Sequence, residues 1–104
     1  VSDGAVRRAL EHAYLREWAR VVAATIRITR DLDLAEECVQ DAFAEALAAW
    51  RRDGVPRNPG AWLTTTAKRR AIDTLRRTAT GNLKMQLLVE PEPADDPDAV
   101  GESA

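Results

Sequence analysis

The sequence predicts an all-α fold, on three observations. Alanine and arginine dominate a chain with only one Phe, one Tyr and three Trp, and β-branched residues seldom run together, a composition that favours helix over sheet. Apolar residues recur at three- and four-residue intervals over long stretches, the period of an amphipathic helix. The joints between those stretches hold Asp, Asn, Pro and Gly, which start and stop helices. At 104 residues the chain has room for one compact core of three or four helices but not for two independent cores.

Residues 5 to 30 make the first expected helix, with Val6, Leu10, Tyr14, Trp18, Val21, Val22, Ile26 and Ile28 at mixed spacing. Asp31 to Asp33 forms a polar joint. Asp33 and Glu36 have the spacing of a capping box and open a second helix over residues 34 to about 52. Its core candidates are Leu34, Cys38, Ala42, Leu47 and Trp50, widened by Val39, Phe43 and Ala46. RRDGVPRNPG, residues 51 to 60, is a loop on every local criterion.

Asn58 is a good N-cap and Pro59 suits the first helical turn, where its missing N–H costs nothing. The third helix then carries Leu63, Ala67, Ala71 and Leu75 at four-residue intervals, with Ile72 beside them, as its core stripe. It is expected to fade at Thr78 to Gly81. The first 81 residues read as a helical domain, and residues 82 to 104 as a short docking segment followed by a Pro-rich, acidic, disordered linker.

A formal net charge of −2 conceals blocks: residues 31 to 50 and 90 to 104 each carry six acids and no base. Between Lys68 and Arg77, five bases face one acid, Asp73. Trp62, Thr65, Lys68, Arg69, Arg76 and Arg77 lie largely off the apolar stripe. An indole, hydroxyls and arginines on the open face of one helix suit a nucleic-acid strand.

Other chemistry is excluded. The lone Cys38 makes no internal disulfide, and the lone His12 leaves no His/Cys metal set and no base for a Ser, Thr or Cys nucleophile. Glu36 and Glu37 are adjacent on a helix and splay apart, unsuited to a dyad. No catalytic residue, metal or cofactor is expected, and the chain reads as no enzyme. Nothing resembles a bilayer span or a signal peptide, so the cytoplasm is the expected compartment.

Two segments in order, DLAEECVQDAFAEALAAW and NPGAWLTTTAKRRAIDTLRR, resemble region 2 of the extracytoplasmic-function (ECF) sigma factors, small relatives of the primary bacterial sigma factors. The resemblance rests on Glu37, Gln40, Asp41 and Phe43 in the first and on the run from Trp62 to Arg77 in the second, and it covers residues from about 10 to 77. It implies a compact helical bundle that docks on the clamp helices of the RNA polymerase β′ subunit. It also implies capture of the non-template strand of the minus-ten promoter element as that element unwinds.

Carried over by position, Glu37, Gln40 and Asp41 face polymerase, and Arg69, Arg70, Arg76 and Arg77 neutralise phosphates. Asn58, Trp62 and Thr65 lie near unstacked bases, and the loop from Arg51 to Arg57 holds a flipped base. An anti-sigma or other regulatory domain is a further implied partner. No second helix-turn-helix domain follows Gly81, and the chain opens on Val1. It therefore reads as a domain of a longer protein, with the acidic segment as a linker.

Plainer readings stand beside these. Trp62 suits a core position as well as a base contact. Asp73 suits an intrahelical salt bridge to Arg69 or Arg77, Cys38 a small core residue, and His12 the surface. The rival for the whole chain is a helical interaction module whose arginine-rich face meets an acidic protein.

Overall fold

The computed structural model describes residues 3–88, which form α1 (Asp3–Thr29), α2 (Leu32–Asp53) and α3 (Pro59–Leu88) with no strand among them. Each helix packs on the other two, and the short connections make chain neighbours antiparallel. The expected all-α bundle is thus a three-helix bundle in the described residues. The expected linker over residues 90 to 104 lies outside them. No helix among the described residues is long and apolar enough to cross a membrane.

The first joint is tighter than expected. Arg30 takes a left-handed backbone, φ 57°, and its N–H donates to the Ile26 carbonyl at 2.8 Å. Asp31 is the N-cap of α2, extended at φ −147° and ψ 112°, and its Oδ1 accepts from the Leu34 N–H at 3.1 Å. This corrects the expected Asp33–Glu36 capping box. Asp31 already satisfies an orphan donor, so the helix starts at Leu32, and Asp33 sits in the first turn where its charge complements the dipole.

The second joint comprises residues 54–58, half the expected loop. Arg51 to Asp53 extend α2 until Gly54, at φ 96°, donates its N–H to the Trp50 carbonyl at 2.8 Å. Asn58 caps α3 as expected, its Oδ1 accepting from the Ala61 N–H at 3.1 Å. An ion pair from Arg51 Nε to Asp3 Oδ1, 3.3 Å, links the end of α2 to the start of α1.

Val6, Ala13 and Val21 of α1, Val39, Ala42, Ala46 and Trp50 of α2, and Leu63 and Ala67 of α3 form the buried core. Alanine at the contacts lets the helices approach closely, and Trp50 fills the end nearest the second joint. Tyr14 and Trp18 of α1 and Phe43 of α2 form a cluster of tilted and edge-on rings, with centroids 5.0 to 6.0 Å apart. The expected stripe of α3 is buried at Leu63, Ala67 and Ala71, but Leu75 and Ile72 are 37 % and 40 % exposed.

Arg70 lies opposite Asp41 and Glu45 and Thr74 hydrogen-bonds Cys38, so Ile72 and Leu75 still lie alongside α2, at the edge of the buried stripe and not past its end. The expected fade at Thr78 to Gly81 does not occur. Gly81 stays helical, and the helix formers of LKMQLL carry α3 to Leu88 at a cost of about 1 kcal/mol for one internal glycine. Residues 82 to 88, expected as a separate docking segment, are the exposed end of α3.

Candidate nucleic-acid interface

The start of α3 and the second joint enclose a depression of ≈ 380 Å³ where Pro56, Asn58, Trp62, Thr65 and Arg69 meet. The cap bonds of Asn58 fix the entry angle of α3, and one helical turn later Trp62 turns its ring against Trp50. Their centroids are 5.5 Å apart at 73° between planes. Trp62 is therefore partly packed on the core and partly a wall of this depression. Thr65 is exposed while Thr66 is buried, so the three hydroxyls do not act as one surface. Arg57 is exposed in the joint.

A second depression of ≈ 450 Å³ continues from Thr65 and Arg69 along α3 past Lys68, Ile72 and Arg76. Lys68 and Arg69 make no ion pair among the described residues, and both are exposed. The expected partner of Asp73 is corrected: Arg76 Nη1 lies 3.9 Å from its Oδ1, while Arg77 Nη2 donates to Thr74 Oγ1 at 3.4 Å. The three-residue step brings Arg76 over Asp73.

Glu37, Gln40 and Asp41 are exposed on one face of α2. Arg70 reaches back toward this helix, its Nη2 and Nε donating to Glu45 Oε1 at 3.0 and 3.3 Å and its Nη1 3.9 Å from Asp41 Oδ2. Of the arginines expected on phosphates, Arg70 is the one engaged across the helix interface. Both acids remain substantially exposed, so the pairing contributes at most about 1 kcal/mol.

Cys38 is buried, as expected of a small core residue, and free. Burial chiefly, with the Asp41 and Glu37 carboxylates, raises its pKa, against a hydrogen bond to Thr74 and the Arg70 charge. His12 is exposed. No group of three or more His, Cys, Asp or Glu among the described residues could hold a metal ion.

Composition alone pointed to Lys68 only as an off-stripe base and gave no sign of Pro56 or Ile72 as walls. Their places depend on the joint's length and on how α3 packs on the other two helices.

The sequence is 34% identical over 80 residues to the ECF RNA polymerase sigma factor SigK of Mycobacterium ulcerans (strain Agy99), covering 73% of this chain and 41% of that protein. It is 40% identical over 67 residues to the protein of the same name in Mycobacterium sp. (strain KMS), covering 61% of this chain and 33% of the relative. An uncharacterized protein of Rhizobium meliloti (strain 1021) is 45% identical over 58 residues, 56% of this chain and 14% of the relative. The chain thus spans less than half the length of these curated relatives. No solved structure matches it significantly. The family model of Sigma-70 region 2 matches residues 12–80, from within α1 through the first two thirds of α3, and by that match the chain belongs to the sigma-70 region 2 family, as a domain of the ECF type.

Proposed function

We propose that this domain serves as region 2 of an RNA polymerase sigma factor. In this reading α2 docks on the β′ clamp helices through Glu37, Gln40 and Asp41, carboxylates and an amide suited to arginine-rich helices. Residues 54–58 and α3 capture the non-template strand of the minus-ten element. The observation that carries the reading is the depression in which the exposed part of Trp62 stands beside Asn58, Thr65 and Arg69. It puts a π surface, two hydrogen-bonding side chains and a cation within reach of one unstacked nucleotide.

Stacking of a base on an aromatic ring contributes about 1–3 kcal/mol and tolerates any base. Selectivity then falls to Asn58 and to the joint carrying Arg57, which can hold a flipped base against its polar edges. Arg69, Arg76 and Arg77 supply phosphate contacts that position the strand without reading it. Arg70 joins them when it leaves Glu45. In this reading the whole protein is a non-enzymatic initiation factor that acts in the cytoplasm, where polymerase and promoter are. An anti-sigma or other regulatory domain would act by covering either face.

The test is binding of the chain to core RNA polymerase with Gln40→Ala/Asp41→Ala as the variant. Lost binding with an unchanged far-ultraviolet circular dichroism spectrum is the expected result. Retained binding overturns the assignment of α2.

A further inference from the structure

We propose that the captured single strand continues beyond α3 onto α1, along the row Arg8, His12, Arg16 and Arg20; this rests on the reading of α3 given above. The four residues are spaced by four, so on a helix they form one gently winding stripe. From Arg8 to Arg20 it extends roughly 18 Å at 1.5 Å per residue, against 3.4 Å per nucleotide of a stacked strand. Several phosphates fit along it.

The stripe borders a hollow and joins the α3 site. Arg8, His12 and Arg16 line a depression of ≈ 670 Å³ closed on its other side by Asn58, Pro59 and Gly60. Arg20 lines the next, of ≈ 330 Å³, which also reaches Asn58 and Thr65. Asn58 thus borders both hollows and the one that holds Trp62. Gly60 brings the walls together: a Cβ there would stand 2.8 Å from Glu17 Cδ, so the start of α3 rests directly on α1.

The charge balance favours an anion. Glu17 is the one acid lining these two depressions, and it is already matched, 3.6 Å from Arg20 and packed against the positive end of α3. Arg8 and Arg16 are exposed and make no ion pair among the described residues. An acidic peptide would satisfy the same charges. Continuity with the α3 hollows through Asn58 decides for the strand, and a single strand is flexible enough to turn from one helix to the other where a duplex is not.

The experiment measures fluorescence anisotropy of two labelled single-stranded DNAs, with and without core polymerase. One has the length α3 alone accommodates; the other is longer by several nucleotides at either end. The variant is Arg8→Ala/Arg16→Ala. The unsubstituted chain is expected to bind the longer DNA more tightly, and the variant to lose that gain while holding the short DNA as before. Two lost phosphate contacts should reduce the slope of log affinity on log salt by about 1.4 for the longer DNA, a difference of about sevenfold over a fourfold change in salt. An equal length gain and slope in the variant overturns the α1 track and leaves the α3 reading standing. No binding of either DNA in either condition by the unsubstituted chain overturns both.

Discussion

Trp62 meets the buried Trp50 edge to face, ring centroids 5.5 Å apart, so the residue best suited to stack on a base is also the one that closes the end of the core. A wall anchored in this way is rigid, and a rigid platform loses little entropy when a base settles on it. The Nε1 of Trp50 has no hydrogen-bond partner among the described residues, so the indole itself is held in place by packing.

Trp62→Leu should therefore separate the two roles. Leucine keeps part of the contact with Trp50, and a loss of about 1–2 kcal/mol of stability in urea denaturation is expected, below the 3–5 kcal/mol of a fully buried Trp→Ala. Single-strand affinity should fall at least fivefold, the lower bound set by about 1 kcal/mol of stacking. Unchanged affinity in a folded variant would contradict a stacking role.

Arg69 and Arg70 are neighbours in sequence with unequal surroundings. Arg69→Ala should weaken single-strand binding alike for every sequence and lower the salt slope by about 0.7. Arg70→Ala should do less, because Glu45 and Asp41 already hold its guanidinium. Glu45→Gln, by freeing Arg70, should strengthen binding; anisotropy titrations of the three variants at two salt concentrations check the order.

The cap bonds and the core stripe of α3 as far as Ala71 were legible in the sequence because both depend on residues within one or two turns. Asn58 with Pro59 needs no tertiary partner to mark a helix start. The exposure of Ile72 and Leu75 was not legible, since it depends on which edge of the α3 stripe the other two helices cover, and periodicity does not carry that. The capping box at Asp33 was misread for a related reason: two aspartates were eligible, and the left-handed turn at Arg30 decided for Asp31. At the site, residue types and order pointed to Asn58, Trp62, Thr65 and Arg69, which the structure brings to one depression. The capture of Arg70 by α2 and the approach of α1 at Gly60 are matters of register and packing that periodicity does not carry. The four-residue spacing of Arg8, His12, Arg16 and Arg20 was visible, but one row of charges on a helix has meaning only once a hollow is found beside it.

Arg30 occupies a left-handed backbone at φ 57°, where a side chain costs roughly 1–2 kcal/mol. Arg30→Gly should remove most of that strain, offset in part by the greater freedom of glycine in the unfolded chain. A net gain of about 0.5–1 kcal/mol is expected, read as a higher midpoint in thermal or urea denaturation. A lower midpoint would show that the Arg30 side chain contributes more than its backbone costs.

Cys38 gives the domain a dependence on alkaline pH. Its folded-state pKa is raised, chiefly by burial, so the unfolded chain loses its thiol proton first as pH rises. The stability it contributes is full below the unfolded thiol value, about 8.5, and is lost as pH climbs through the folded value. Cys38→Ala should abolish that part of the fall in denaturation curves taken from pH 7 to 10. The thiol of the folded protein should also resist alkylation at neutral pH.

The central claim is that α3 and residues 54–58 hold an unpaired DNA strand. It is tested most directly by fluorescence anisotropy of the chain with a set of short single-stranded DNAs and their matching duplexes, at two salt concentrations and in the presence of core polymerase. Sequence-selective binding confined to single strands, weakening steeply with salt and lost in Arg69→Ala/Trp62→Leu, is the predicted result. Equal binding of duplexes, or binding that this variant leaves untouched, would contradict it.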